Sequence, residues 1–153
     1  MKRLDRRVQV VWAGQGAVVA AVLAGVVALV DRFVTPLPRF APLAVLLCGL
    51  ALAVALAVAR YRAWGYEVRD DAIYLERGVF TRVRTVVPFV RIQHVDSSRN
   101  PVERTVGLAS AVVYTAGSRG ADVTVPGLTP SGADDLRERL KRLAIRAEGE
   151  DAV

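Results

Sequence analysis

The sequence predicts a two-helix transmembrane hairpin followed by a mainly-β domain that is capped by a C-terminal α-helix. Three observations support this fold class. Two long apolar runs near the N-terminus contain no charged side chain. After them, the chain changes to short runs rich in Val, Ile, Tyr and Thr, separated by Gly, Asp, Asn and Pro, which is typical of a small all-β domain. The last segment then carries apolar residues at helical spacing.

The composition of the 153-residue chain conceals a strong segregation of charge. Apolar residues make up 53% and charged residues 24%, and much of the formal net charge of +6 lies beside the two apolar runs. Positive charge that flanks hydrophobic spans is explained by membrane topology, so it does not predict a nucleic-acid partner. The single cysteine, Cys48, excludes a disulfide framework, a cysteine zinc site and a cysteine redox pair within one chain.

The two predicted spans are residues 8–30 and 40–59. As α-helices they cover about 34 Å and about 30 Å, which matches a hydrocarbon core of about 30 Å. A cleaved signal peptide is the competing interpretation of the first run, because basic residues precede it. Signal peptides have apolar regions of about 7 to 15 residues, however, and here Asp31 and Arg32 follow instead of small residues. We therefore expect a hairpin with an exposed, proline-containing turn at residues 31–39.

Basic residues near the ends of the spans predict the orientation of the hairpin. They lie in the N-terminal tail, in the turn and directly after the second span, at Lys2, Arg3, Arg6, Arg7, Arg32, Arg39, Arg60 and Arg62. Because cytoplasmic segments carry the excess of Lys and Arg, we expect both termini in the cytoplasm. The chain is then a multi-pass protein of the cell (plasma) membrane.

Small residues recur at every fourth position of both spans. In the first span this helix-packing row is Ala13, Ala17, Ala21 and Gly25. In the second span it is Gly49, Ala53 and Ala57. Such rows let two helices approach closely. They predict packing within the hairpin or, alternatively, a face for dimerisation or a partner helix, and the sequence does not choose between the two. Cys48 is interpreted as a small apolar side chain.

The predicted division of the chain has three parts. Residues 1–60 form a basic tail and the hairpin, residues 61–146 a cytoplasmic domain, and residues 147–153 a disordered acidic tail. Strands of the domain are expected at residues 65–69, 72–77, 80–87, 91–97, 111–115 and 123–125, with a flexible hairpin loop at residues 117–120.

Two helices are predicted within the domain. Asn100 as N-cap, Pro101 and Gly107 indicate a short helix between strands. Thr129 and Pro130 begin the last helix, whose apolar stripe consists of Ala133, Leu136, Leu140, Leu143 and Ala144. We expect this stripe to pack on the sheet. A partner-binding or membrane-surface helix is the alternative.

The domain carries the sequence segments of a known family in their usual order. They include Gly65-Tyr66-Glu67-Val68, Arg91-Ile92-Gln93-His94-Val95, Arg104-Thr105-Val106-Gly107-Leu108 and Val125-Pro126-Gly127-Leu128. By these segments the chain resembles the bacterial pleckstrin-homology-like (PH-like) family of YdbS-like membrane proteins over about residues 60–145. The resemblance implies a seven-stranded, bent antiparallel β-sandwich or barrel capped by the C-terminal helix. It implies no catalytic activity, because the family is defined by its fold and membrane anchor.

The residues themselves give no support for catalysis. His94 is the only histidine. In a strand it shares a face with Asp96 but not with Ser97, which opposes a Ser-His-Asp triad. The sequence has no nucleophile elbow, phosphate-binding glycine loop or calcium loop. We therefore predict no enzyme, no catalytic residue, no cofactor and no metal site, and the resemblance implies a structural hydrogen-bonding role for His94.

A basic surface close to the membrane is the remaining feature. Arg82 and Arg84 share one face of a predicted strand, and Arg91 is within cross-strand reach if the next strand pairs with it. Only four residues separate the second span from the next segment, so the domain must lie against the bilayer. The tentative lipid- or partner-binding residues are Arg60, Arg62, Trp64, Arg82, Arg84 and Arg91, with Trp64 as an interfacial aromatic residue. The alternative is that these arginines only solvate the sheet and set the topology.

These observations predict a non-enzymatic, membrane-anchored module that provides a protein-interaction or assembly surface at the cytoplasmic face of the membrane. The alternative function is direct binding of anionic lipid headgroups by the juxtamembrane arginines. The expected partners are the lipid bilayer, anionic headgroups, and a membrane protein or a second copy of the chain, with no nucleic acid.

Overall fold

The computed structural model describes residues 1–117 and 122–151. In chain order, its helices and strands are α1 Val8–Phe33, α2 Ala41–Ala63, β1 Gly65–Val68, β2 Ala72–Arg77, β3 Val83–Pro88, β4 Ile92–Ser98, α3 Pro101–Val106, β5 Ala109–Thr115, β6 Val123–Leu128 and α4 Pro130–Asp151. A single 3₁₀ turn at Phe89–Arg91 joins β3 to β4. This order confirms the predicted fold class, a transmembrane hairpin followed by a PH-like domain that ends in a helix.

Small residues hold the two helices of the hairpin together. A β-carbon at Gly16 would lie 2.6 Å from the Cβ of Ala53, so the helices approach closely at a position where only glycine fits. Ala20 and Ala24 of α1 and Ala57 of α2 are buried in the same contact. As in helices that face lipid, the large apolar side chains of both helices are exposed, among them Val18, Val22, Leu29, Leu43 and Leu47.

The packing face of α1 differs from the predicted one. Ala21 and Gly25 are exposed, and a β-carbon at Gly25 would meet nothing within 4 Å, whereas Ala13 and Ala17 are half-buried. The row that contacts α2 lies one position earlier, at residues 16, 20 and 24. Neighbouring positions on a helix differ in direction by about 100°, and α1 has small residues at period four on both faces. The period alone therefore could not identify the face.

The strands form two three-stranded antiparallel sheets, ordered β1-β2-β3 and β4-β5-β6. The described part of the chain thus contains six strands, whereas the resemblance implies seven. The outer edge of β1 is covered by the N-terminal tail. Lys2 and Tyr66 exchange two backbone hydrogen bonds there, of 2.7 Å and 3.1 Å. Most of the loop predicted at residues 117–120 lies outside the described residues.

Of the six strands, β2 has the predicted bounds and the others differ at their ends. The largest difference at the start of a strand is in β3, which begins at Val83 instead of Phe80. Gly78 has a φ of +106°, and a β-carbon there would clash with the carbonyl oxygen of Thr81. Residues 78–82 therefore form a tight loop that only glycine can close, and the strand starts after it.

The core of the domain includes residues from the tail and from α1. Leu4 and Val8 are each 3% exposed, and they belong to the same hydrophobic cluster as Trp64. The Asp5 N–H also donates to the carbonyl oxygen of Gly127 in β6, at 2.7 Å. The packing of the domain thus extends back across the predicted boundary at residue 60. The sequence pattern did not show this contact because Leu4 is a single apolar residue among charged ones.

Helix α4 packs its predicted apolar stripe into the core, where Leu140 is fully buried. The hydroxyl of Thr129 caps its first turn, as expected. The helix continues to Asp151 and so overlaps residues 147–151 of the predicted acidic tail, whose last two residues lie outside the described part. Ala147 packs against the core and so gives the last turns an anchor.

Helix α3 is the predicted short helix, and it begins with a complete capping box. The Asn100 side chain accepts a hydrogen bond from the Glu103 N–H at 2.8 Å, and the Glu103 carboxylate accepts one from the Asn100 N–H at 2.9 Å. Ser110 on β5 donates to the same carboxylate at 2.5 Å. Gly107, with a φ of +71°, ends the helix.

Candidate membrane-surface site

Four arginines converge where α2 leaves its apolar segment. They surround a cavity of about 330 Å³ that we call the arginine cleft. The residues around it are Ala59, Arg62, Ala63, Glu76, Arg77, Gly78, Val79, Arg82, Val83 and Arg84. With one glutamate among the four arginines, positive charges exceed negative ones by three. The cleft is therefore suited to an anionic ligand.

Each arginine of the cleft comes from a different piece of structure. Arg62 lies in the last turn of α2, where the helix dipole favours a cation. Arg77 ends β2, Arg82 lies in the tight loop, and Arg84 is on β3. The β2–β3 hairpin thus folds its basic residues against the end of α2.

One of the four arginines already has a partner. Arg84 lies opposite Glu76 in the β2–β3 pairing and forms a salt bridge with it, with 2.5 Å between Nε and Oε1. In the part of the chain that the structure describes, Arg62, Arg77 and Arg82 form no such ion pair and are exposed. Their guanidinium groups are free to contact a phosphate.

Arg91 does not join the cleft, because the strand pairing on which its predicted position depends does not form. Strands β3 and β4 belong to different sheets and do not form the predicted hairpin. Pro88 ends β3, and the buried Phe89 begins the turn that carries the chain across to the second sheet. Arg91 lies at the end of that turn, exposed. Arg82 and Arg84 do line one cavity, although Arg82 precedes the strand.

Trp64 and Arg60 also differ from their predicted roles. Trp64 is only 5% exposed and belongs to the domain core, so it is not an interfacial anchor. Helix α2 runs to Ala63, which turns Trp64 inward at the junction with β1. The guanidinium of Arg60 lies over the ring of Trp12 in α1, 4.3 Å from its centroid. Arg60 thus joins the two helices where they meet the domain.

Sequence reasoning missed two features of this surface. The first is the place of Arg77 in the cleft, for which its position directly before Gly78 at a hairpin loop is the available signal. Phe80 at the tip of the loop is 91% exposed. Together with Val79 it borders a second cavity of about 470 Å³, whose other side is formed by Leu56 and Arg60 of α2. An exposed phenylalanine therefore lies beside the end of the membrane-spanning helix.

His94 lies away from the cleft, on β4. Its ring stacks on Tyr114 of β5, with 4.2 Å between centroids and 18° between planes. Its Nε2 is 4.0 Å from the Asp96 carboxylate, which confirms that these two residues share a face. Within the described residues the His94 side chain makes no hydrogen bond, so its observed contact is ring stacking. This differs from the structural hydrogen-bonding role that the resemblance implied, and it accords with the exposed position of His94 on an edge strand.

Two groups near the tail and β1 have perturbed acidities. Burial raises the pKa of the Tyr66 phenol above its usual value, so this group stays neutral over the physiological range. A hydrogen bond to Glu67 raises the pKa of Arg69, which also lies over the Tyr74 ring at 4.4 Å. Neither group belongs to the cleft. Among the described residues, no group of three or more His, Cys, Asp or Glu side chains is arranged to hold a metal ion.

The comparisons with known proteins agree with this architecture. The chain is 38% identical to the UPF0699 transmembrane protein YdbS of Bacillus subtilis (strain 168) over 85 residues, which are 56% of this chain and 52% of that protein. It is 26% identical to the UPF0699 transmembrane protein YdbT of the same organism over 99 residues, which are 63% of this chain and 20% of that protein. It thus spans about half of the first relative and about a fifth of the second. No solved structure matches the chain.

The sequence profile of the Bacterial PH domain family matches residues 11–144. The match starts within α1, so it includes most of the transmembrane hairpin as well as the two sheets and most of α4. Both hairpin helices are long and apolar enough to cross a membrane. The chain is therefore a transmembrane protein that belongs to the Bacterial PH domain family.

Proposed function

We propose that this chain is a non-enzymatic, membrane-anchored module whose arginine cleft binds the phosphate of an anionic lipid headgroup. The observation that carries the proposal is the convergence of four arginines from α2 and the β2–β3 hairpin around one cavity at the end of a membrane-spanning helix. In this proposal both termini and the domain lie in the cytoplasm, and the lipid comes from the inner leaflet of the plasma membrane.

The position of the cleft favours a lipid over a soluble anion. Ala59, the last residue of the uncharged run, lines the cleft together with Arg62. Helix α2 ends at Ala63 and β1 begins at Gly65, so a single residue separates the helix from the domain. The cleft therefore stays at headgroup depth. Arginines at that depth contribute about 1 kcal/mol each towards an anionic leaflet, and they pair with phosphate through two parallel hydrogen bonds.

Retention of lipid by the full chain tests this proposal. The protein is reconstituted in nanodiscs that contain phosphatidylglycerol and phosphatidylcholine, and the lipids that stay bound after transfer to detergent are measured by native mass spectrometry. We expect preferential retention of phosphatidylglycerol, its loss in the triple variant Arg62→Gln, Arg77→Gln, Arg82→Gln, and its decrease at high salt. Free glycerol phosphate in the buffer should not replace the lipid.

The matched control carries the same number of charge removals on α4, at Arg139, Arg142 and Arg146. It should retain phosphatidylglycerol as the unmodified chain does. Equal retention of the two lipids by the unmodified protein, or equal loss in both triple variants, would refute specific binding in the cleft. A reporter fused to the C-terminus that is accessible from outside the cell would refute the proposed orientation.

A protein-interaction surface is the second candidate function, and the edge of β4 favours it. Among the described strands, β4 pairs only with β5, so its other edge is open to an added strand. Beside it, a groove of about 480 Å³ runs between β4 and α4, and Ile145 is exposed along that groove. The occupant in this proposal is an extended segment of a membrane-protein partner or of a second copy of this chain.

Cross-linking at the groove tests the second candidate. A photoreactive residue in place of Ile145 should form a specific adduct in native membranes. In a separate copurification experiment, Ile145→Asp should lose the partner that the adduct identifies. Position 146, one residue along the same helix, carries the matched controls: a photoreactive residue for the cross-link and Arg146→Asp for copurification. If the adducts at position 145 are the same as those at position 146, this surface has no specific partner.

A further inference from the structure

The tip of the β2–β3 hairpin exposes apolar side chains on a tightly closed loop. Phe80 is the most exposed large hydrophobic side chain among the described residues, at 91%, and Val79 beside it is 39% exposed. The loop beneath them is closed by the left-handed Gly78 against the carbonyl of Thr81. The tip is therefore a compact apolar projection from the domain.

The tip lies level with the end of the membrane-spanning segment. Val79 and Phe80 share a cavity with Leu56 and Arg60 of α2. Leu56 lies inside the uncharged run, and Arg60 is one helical turn further along, a rise of about 6 Å. The polar edge of the hydrocarbon core must therefore fall between these two residues, at the depth of the hairpin tip.

The flanks of the tip have the composition of an interfacial segment. Arg77 precedes it and Arg82 follows it, and both side chains line the arginine cleft. An apolar tip between two basic residues matches the order of the bilayer interface, with acyl chains below and phosphates above. The tip is also continuous with the lipid-facing surface of α2, where Leu52 and Leu56 are exposed.

We propose that Val79 and Phe80 insert into the bilayer at the boundary between headgroups and acyl chains. The hairpin tip is then a second membrane contact beside the transmembrane hairpin. Two contacts, α2 and the tip, fix the tilt of the domain on the membrane and keep the arginine cleft facing the headgroups. Insertion of the tip rests on apolar contact, so it does not require an anionic lipid.

Depth-dependent quenching on the full chain tests this inference. In a Cys48→Ala background, a fluorophore is attached at Phe80→Cys, and the protein is placed in nanodiscs of phosphatidylcholine alone. Lipids with a spin label near the headgroup end of the acyl chain should reduce the fluorescence about twofold, and aqueous iodide should have little effect. Val79→Cys provides a second position if the first variant is poorly produced.

Asp70→Cys is the matched control. Asp70 is exposed in the β1–β2 turn, at the far end of β2 from the tip, about 20 Å along the strand. A fluorophore there should be quenched by iodide and not by the spin-labelled lipid. The inference is overturned if position 80 behaves like position 70. It is also overturned if neither reagent quenches position 80, which would mean that a protein partner or a second copy covers the tip.

The result is separable from that for the arginine cleft. If the spin-labelled lipid does not quench position 80 in neutral lipid, but phosphatidylglycerol is still retained, only the insertion of the tip is refuted. If position 80 is quenched in neutral lipid, but the protein does not prefer phosphatidylglycerol, only lipid binding in the arginine cleft is refuted.

Discussion

Gly49 of α2 lies so close to Ala20 of α1 that a β-carbon on residue 49 would be 2.6 Å from the Cβ of Ala20. Real β-carbons do not approach to that distance, so the helices must separate if residue 49 acquires a side chain. Because lipid tails are as apolar as the helices, the hairpin depends on this close packing and not on a hydrophobic drive. The contact therefore decides which face of α1 meets α2.

Gly49→Ala should destabilise the hairpin. Overpacking of a tight contact costs about 1 to 3 kcal/mol. Here the added β-carbon would also lie 3.3 Å from the Cα of Ala20, a backbone atom. The apparent melting temperature of the full chain in detergent, followed by tryptophan fluorescence, should fall.

Gly25→Ala is the matched control for that variant. A β-carbon at Gly25 meets nothing within 4 Å, so the substitution should leave the melting temperature unchanged or raise it slightly, since alanine is the better helix former. If Gly25→Ala were the destabilising variant and Gly49→Ala the neutral one, the face predicted from Ala17, Ala21 and Gly25 would be the packing face after all.

The two rows on α1 show where sequence reasoning reaches its limit. Span length, charge-free composition and the presence of small residues predicted the hairpin and the correct row on α2. They could not select between two period-four rows on α1, because the choice depends on the rotation of one helix about its axis. That rotation is set partly by Val8 and Val11, which are buried in the domain core.

Leu4 packs in the core of the domain, a second contact that local sequence patterns do not reveal. This contact can be tested by substitution. Its side chain is 3% exposed within the domain core. Leu4→Ala should lower the free energy of unfolding by about 2 to 5 kcal/mol, the usual cost of a cavity in a core. Thermal or denaturant unfolding of the full chain measures it.

Arg3→Ala is the control for the tail, because Arg3 is exposed. Its effect should stay within about 0.5 kcal/mol, as for most surface substitutions. A neutral Leu4→Ala would mean that the tail does not belong to the domain, and the predicted boundary at residue 60 would then stand.

Part of the arginine cleft was predictable, because local sequence features indicate three of its arginines. Alternation along a strand and the short junction after α2 indicated Arg62, Arg82 and Arg84. Arg91 lies elsewhere because its cross-strand reach depends on pairing between β3 and β4, and a proline followed by a buried phenylalanine instead moves the chain to the other sheet. Pairing across sheets is a property of the whole fold, which periodicity does not encode.

Glu103 joins α3 to β5, and its loss should destabilise the domain. Its carboxylate accepts hydrogen bonds from the Asn100 N–H and the Ser110 hydroxyl, and the residue is 8% exposed. Glu103→Ala leaves both donors without this acceptor, which costs about 1 to 3 kcal/mol in a buried setting. The free energy of unfolding of the full chain should decrease by that amount.

Thr105→Ala on the same helix is the control. Its hydroxyl donates to the Val102 carbonyl at an exposed position, so its removal should have little effect. Equal losses in the two variants would mean that the buried carboxylate contributes no more than the exposed side-chain hydrogen bond of Thr105.

The burial of Tyr66 should lower the free energy of unfolding at alkaline pH. Burial raises the pKa of its phenol above the usual value of 10.0, because the phenolate is poorly solvated in the folded domain. The folded state then holds the proton more tightly than the unfolded state does. The contribution to stability is complete below the pKa of the unfolded chain and is lost as the pH rises through the raised pKa.

Tyr66→Phe has no such proton, so its melting temperature should fall less between about pH 8 and about pH 11 than that of the unmodified chain. Parallel curves for the two proteins over this range would show that the Tyr66 phenol reaches solvent in the folded state, against its observed burial.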